Sequence, residues 1–230
     1  MLEACREARY DIEDRLFDDK TRAFFPLDRL RKYFTPEKVS EILHCSCNQC
    51  QEDKRLYGTQ INLKTFVNDI VGGTHSINDL RRTSFSVFGL LVFSEHPLFI
   101  IGFLRHKCSD SFLESWVTHA SLFSREDLET YTGEFKRNQS GFERFARRFA
   151  SNLPKFAIPH METKSFRQYD ASVVLPFVEE VKIGTRVDEN GHLTSEGANG
   201  TVYAFKFHRE YCKFRVSRGL VSWEDDTHHS

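Results

Sequence analysis

The run Ile77-Asn-Asp-Leu-Arg-Arg-Thr-Ser-Phe-Ser-Val-Phe-Gly-Leu-Leu-Val-Phe93 decides how the chain is read. Its second half is apolar on every side, which fits an element buried all round. The length favours one long buried helix, while the Ser, Thr and Phe content also admits a pair of strands. Four residues later Leu98 to Leu104 is again apolar and, being short, has no period that separates strand from helix. Ser94, Glu95, His96 and Pro97 divide the two runs, so neither is long enough to cross a hydrocarbon layer of about 30 Å. A core is the expected destination.

Moving outward, the flanks read as helices. Residues 2 to 19 carry a sparse stripe of Leu2, Cys5, Arg9, Ile12 and Leu16 among charges. Thr35-Pro-Glu37 offers a capping hydroxyl, a helix-first proline and an acid, predicting a helix from Pro36 to about His44. Leu63, Phe66, Val67 and Ile70 recur at helical spacing and Gly72-Gly73 supplies the stop. Ser111-Phe-Leu-Glu114 and Ser140-Gly-Phe-Glu143 have the spacing of capping boxes. The second opens a segment with Phe142, Phe145 and Phe149 on one face and Arg144, Arg147 and Arg148 around it, read as a solvated basic face over an apolar stripe. From Pro154 to Asp170 periodicity is lost, as in a connection. Beyond it, Val173 to Leu175, Val178 to Ile183 and Thr201 to Phe207 have strand patterns, with a turn at Asp188 to Gly191. The expected fold is therefore α+β, with a helical, Phe-rich domain over 1–165 followed by a β-hairpin region over 171–230.

Composition limits the function. With 22 Phe, 40% hydrophobic and 28% charged residues, 230 residues can bury a real core. Lys plus Arg (32) and Asp plus Glu (33) nearly cancel, leaving no global field to gather nucleic acid or an anionic membrane. The start, with Glu3, Arg6, Glu7 and Arg9, lacks the pattern of a secretory leader. Six Cys in that setting are expected to be reduced thiols of the cytosol or nucleus. A partner, where there is one, is expected to be another protein.

Two stretches carry chemistry. His44-Cys45-Ser-Cys47-Asn-Gln-Cys50 places four potential metal ligands in seven residues, and Cys47 with Cys50 has the C-x-x-C spacing that lets two thiolates share a zinc ion. The alternative is a helix end bearing reduced thiols. A structural zinc site usually draws further ligands from a distant segment, for which His106 and Cys108 are the nearest match in the sequence. The other stretch is Ser195-Glu-Gly197-Ala198-Asn199-Gly200-Thr-Val202-Tyr203, between strand-like segments, where glycines permit backbone N–H groups to approach phosphate.

On those residues the chain resembles the start of a protein-kinase domain, whose loop reads G-x-G-x-x-G-x-V. With Leu175-Pro-Phe-Val and Ala204-Phe-Lys-Phe-His-Arg-Glu-Tyr-Cys212 it is similar, more narrowly, to fungal proteins in which a helical region precedes a kinase-like domain. The resemblance implies an ATP–Mg site at Gly197, Ala198, Asn199, Gly200 and Val202, with the hairpin as the first two strands of the kinase N-lobe. Ser195 stands where the family has its first glycine, and an ordinary hairpin turn is the competing reading. Phosphotransfer needs a Lys on a third strand, an H-R-D Asp and a D-F-G Asp. Lys206 lies on the same strand as Val202, His208-Arg-Glu210 has Glu where Asp is required, and D-F-G is absent. The expectation is a truncated or incomplete kinase-like protein without phosphotransfer in this chain. The alternative is a non-catalytic helical interaction module. In either case the hairpin needs cover, expected from Val202, Phe205 or Phe207 docking on the helical part.

Overall fold

The structure, a computed structural model, describes residues 3–16, 24–58, 62–73, 83–118, 125–132, 139–161, 173–183, 185–187, 193–195 and 202–212. It is mostly helical. Ten α-helices occur among the described residues: α1 (Ala4–Asp11), α2 (Leu27–Tyr33), α3 (Pro36–Leu43), α4 (Asn48–Tyr57), α5 (Leu63–Val71), α6 (Phe85–Phe93), α7 (Ile100–Arg105), α8 (Asp110–Thr118), α9 (Arg125–Thr132) and α10 (Gln139–Phe156). Four short strands follow, β1 (Phe177–Ile183), β2 (Thr185–Val187), β3 (Leu193–Ser195) and β4 (Val202–Phe207).

Helix α6 is the axis of the fold, and every one of its nine residues is buried. Its apolar surface on all sides rules out a place at the edge, and α1, α2, α8 and α10 surround it. The helical alternative for this run is thus the one adopted, beginning at Phe85; residues 77 to 82 lie outside the described residues. Pro97–Phe99 form one 3-10 turn that leads into α7, so the second apolar run is helical too. Phe142, Phe145 and Phe149 of α10 are 3%, 1% and 0% exposed, which makes that stripe the wall laid against α6 and its neighbours. Rings interlock between elements: Phe25 stacks on Phe156 at 4.5 Å, Phe34 meets Phe88 edge-on at 5.0 Å, and Phe99 meets Phe145 at 4.8 Å. At Gly102 the backbones of α7 and α9 come so close that a Cβ there would lie 1.7 Å from the Tyr131 carbonyl oxygen.

Local signals set several helix ends. The Lys38 N–H donates to Thr35 Oγ1 (3.3 Å) at the start of α3, and Gly72, at φ 84°, closes α5 in the left-handed conformation. Helix α8 departs from the expected capping box at Ser111. It begins at Asp110, with the Phe112 and Leu113 amides on the Ser109 carbonyl, because the Asp110 carboxylate is drawn to the bare end of α6. There it accepts from the N–H groups of Phe85 (2.9 Å), Ser86 (2.8 Å) and Val87 (3.2 Å) and from the Thr83 hydroxyl (3.0 Å). The α10 helix starts one residue ahead of Ser140 and runs through Pro154 to Phe156, further than the loss of periodicity predicts. In the last turn a proline costs a single backbone hydrogen bond and then ends the helix.

The strands form two separate antiparallel pairs. β1 pairs with β4, from Phe177↔Phe207 to Ile183↔Val202, and β2 pairs with β3. Phe177 stacks on Phe205 (4.3 Å) and meets Phe207 edge-on (4.9 Å), so these rings pack within the strand pair. The 3-10 turn Arg209–Tyr211 seats on the helices, and Val173 and Val174 also pack against the core. Tyr211, 3% exposed, accepts the Leu27 N–H on its hydroxyl (3.0 Å), while Glu210 accepts from the Asp28 N–H (2.9 Å) and from Arg31 (3.1 Å). The Met161 N–H donates to the Tyr211 carbonyl (2.7 Å). A phenol and a carboxylate hold better here than a further phenylalanine because α2, begun by Pro26, has no side-chain cap of its own.

Candidate metal centre

The corner between α3 and α4 brings three thiols together. Helix α3 ends at Leu43, Cys45 follows, and Cys47 is the residue that caps α4, its Sγ accepting the Cys50 N–H at 3.3 Å. Capping by a sulfur fixes Cys47 at the mouth of α4 and puts Cys50 on the first turn above it. Helix α1 crosses this corner and presents Cys5 from its own first turn. The four sulfurs of Cys5, Cys45, Cys47 and Cys50 lie within 4.8 Å of one another. Cys5 Sγ is 3.4 Å from Cys45 Sγ and 3.5 Å from Cys47 Sγ.

These spacings suit a single tetrahedral metal ion. Zinc–sulfur bonds of about 2.3 Å place four thiolates about 3.8 Å apart at the corners of a tetrahedron. The set is too tight for an iron–sulfur cluster, whose several irons spread the outer thiolates further apart. It is too open for a disulfide, and all four cysteines are free. The group as placed can therefore hold a metal ion such as zinc, as a closed four-sulfur site.

The electrostatics favour ionisation at Cys5 and oppose it at Cys47 and Cys50. The Cys50 thiol beside it, more than any other neighbour, pulls the Cys5 thiol down to about 6; burial opposes this, and Cys45 and Cys47 add to it. Burial pushes Cys47 up to about 11, and the bond to Cys5 pushes Cys50 far above the usual thiol range. Without metal, one thiolate on Cys5 thus accepts from its neighbours. Cys5, Cys45, Cys47 and Cys50 would hold a divalent ion as thiolates, giving up their remaining protons to do so. Two helix starts, at α1 and α4, point their amide dipoles toward the group and favour that charge. Lys54, one turn beyond Cys50 on α4, places its ammonium on the Cys45 carbonyl at 3.0 Å and brings a positive charge to the same corner.

Of the four metal candidates drawn from the sequence, Cys45, Cys47 and Cys50 come together and His44 does not join them. Its ring folds back on α3, with Nδ1 2.7 Å from the Ser40 carbonyl, and stays exposed. The physical reason is position. His44 ends α3, where the nearest acceptor is the helix's own last turn. Its place is taken by Cys5, forty residues away from Cys45. A signal for it does exist: Cys5 lies on the inward stripe of the first helix, where a thiol has to meet something buried. Cys108, the other distant candidate, is buried between α7 and α8 with its sulfur 3.8 Å from the His106 carbonyl, apart from this group.

At the second candidate, Gly197, Ala198, Asn199 and Gly200 lie outside the described residues, and Val202 is the first residue of β4. β3, which directly precedes the glycine run, pairs with β2, whereas β4 pairs with β1. No helix among the described residues is long and apolar enough to cross a membrane. No protein-family model, curated protein or solved structure matches the chain.

Proposed function

We propose that this chain is a non-catalytic helical module, fastened by one zinc ion on Cys5, Cys45, Cys47 and Cys50, that serves as a platform for another protein. The observation that carries the reading is the gathering of four sulfurs within 4.8 Å at the point where α1 crosses the α3–α4 corner. Four protein thiolates fill a tetrahedral zinc site, leaving no position for water or substrate, so the ion's role is architectural. It joins the first helix to the fourth, a link that hydrophobic contacts alone would leave to slide. Free thiols in such a site call for a reducing compartment, the cytosol or the nucleus. Metal analysis of the purified chain after dialysis tests the reading: about one zinc per chain is expected, and cobalt in its place should give the intense thiolate-to-metal absorption of a tetrahedral four-sulfur site. Zinc near zero after expression with zinc in the medium overturns it.

A second reading keeps the kinase-like ancestry and a degenerate ATP–Mg loop at Gly197, Ala198, Asn199, Gly200 and Val202. What favours it is the antiparallel pairing of the strand that Leu175-Pro-Phe begins with the strand that follows the glycine run. It includes no phosphotransfer, since the groups that hold magnesium and orient an acceptor hydroxyl are missing. Titration with labelled ATP and Mg²⁺ separates the two readings: saturable binding that Gly200→Val abolishes supports a nucleotide loop, and none leaves the platform alone.

A further inference from the structure

We infer that Cys5 and Cys45 are a peroxide-reactive pair, so that a hydroperoxide converts the four-sulfur site to a disulfide and expels its ion. This rests on the zinc reading only for the expulsion; the pair itself stands on the thiols as placed.

Three observations single out these two sulfurs. First, Cys5 is the most open of the four: it is half-buried, whereas Cys45, Cys47 and Cys50 are 5%, 7% and 0% exposed. An oxidant arriving from solvent meets Cys5 before the others. Second, the Cys45 sulfur lies 3.4 Å from that of Cys5, within reach of a small side-chain rotation. Third, Cys47, at 3.5 Å, is engaged as the cap of α4 through the Cys50 N–H, and Cys50 is fully buried within α4 itself, whereas Cys45 lies in the link between helices and caps neither. Cys45 gives up its place at the least cost in helix structure.

The chemistry balances without any further reactant. The Cys5 thiolate attacks one oxygen of the hydroperoxide; a sulfur–oxygen bond forms, the O–O bond breaks, and the departing hydroxide or alkoxide takes a proton. Cys45 then attacks the Cys5 sulfur of this sulfenic acid. The S–S bond forms, the S–O bond breaks, and hydroxide leaves as water. Two thiolates have lost two electrons and the peroxide has gained them. A zinc ion left with Cys47 and Cys50 alone has lost half its ligands and dissociates. Helix α1 stays covalently tied to the corner after the ion has gone, so oxidation changes the chain's metal content without releasing its first helix.

The experiment treats full-length protein, zinc-loaded and metal-free in parallel, with stoichiometric hydrogen peroxide. It follows free thiols, zinc released to a chromophoric chelator, and disulfide-linked peptides under non-reducing digestion. The expected result is the loss of two thiols per chain and a Cys5–Cys45 linked peptide in both samples, with one zinc released from the loaded one. The same outcome is expected from the Cys108→Ser, Cys212→Ser double variant, which leaves the four-sulfur group intact. Oxidation that spares Cys5, or a disulfide formed only between other cysteines in both samples, overturns the pair. If the protein holds no zinc before oxidation but still forms the Cys5–Cys45 link, the zinc reading fails and the reactive pair stands.

Discussion

Helix α3 and helix α6 solve the same problem in opposite ways. Each begins with amide groups that have no partner inside the helix. In α3 the answer is one residue away: Thr35 accepts from Lys38, at an exposed site and 3.3 Å. In α6 the neighbouring Ser84 makes no side-chain cap, and the answer is Asp110, a fully buried carboxylate two dozen residues later that accepts three amides and a hydroxyl. Helix α2 follows the second pattern, served by Glu210 and Tyr211 from the far end of the chain. The difference shows where cooperativity comes from. A local cap stabilises its own helix and can be lost without consequence elsewhere, whereas a distant cap makes one helix depend on the correct folding of another.

The proposed metal centre has a foot in both patterns, three thiols from one corner and one from far away, and removal of its ion should have the largest effect. Chelation of zinc is expected to cost about 4 kcal/mol, or roughly 10 °C in melting temperature for a chain of this size, because the link between α1 and the corner goes with the ion. A calorimetric scan with and without chelator reads this directly. An unchanged transition would mean that α1 is held by packing alone, and would break the parallel between metal and distant cap.

Next in size is Asp110→Ala, which strands four buried donors at once and should cost about 3 kcal/mol at pH 7. Chemical denaturation is the measure, and a loss below that of a surface cap would show that water or a shifted α6 takes the carboxylate's place. The same residue gives the chain a signature in pH. Burial, opposed by the four hydrogen bonds, raises the carboxyl from its ordinary 3.8 to about 6. Between those values the folded chain keeps a proton that the unfolded chain has released, so the contribution is present below about pH 4 and is lost as pH rises through 6. Up to about 2 to 3 kcal/mol follows from a shift of this size. Stability curves of the native chain and of Asp110→Asn, compared from pH 4 to 7, should differ in slope across that window and run parallel above it; equal slopes throughout would mean that the carboxyl titrates normally.

The smallest effects set the two kinds of cap side by side. Tyr211→Phe removes only the hydroxyl that receives the Leu27 N–H and should cost about 1.5 kcal/mol, because the amide stays buried. Thr35→Ala should cost about 0.5 to 1 kcal/mol, since water can reach the amide it exposes. A reversal of that order in equilibrium unfolding would contradict the view that distant caps matter more than near ones.

What could be read from the sequence divides along the same line. Thr35-Pro-Glu37, Gly72 and the Phe142, Phe145, Phe149 stripe each carry their meaning within a few residues, and the structure places α3, the end of α5 and the inner face of α10 accordingly. Three of the four thiols were legible for the same reason, being packed into six residues. Cys5 was visible only as one member of a stripe, and its ring-bearing rival His44 was nearer in sequence but turned the wrong way for reasons of helix geometry. Asp110 looked like the residue before a capping box because nothing in its neighbourhood announces the bare end of α6. Glu210 reads as part of an echo of H-R-D, and its work at α2 with Tyr211 depends on a meeting of segments that no spacing rule encodes.

The 182 residues between Asp28 and Glu210 also set a clock. At a ribosomal pace of about 5 to 20 residues per second, all four thiols have been made by residue 50, while the partners of the α2 start are added about 10 to 35 s after it. For that interval the nascent chain has its four thiols but not the cap of its second helix, and a chaperone or a pause in translation would act on a protein whose α2 latch is still to be synthesised.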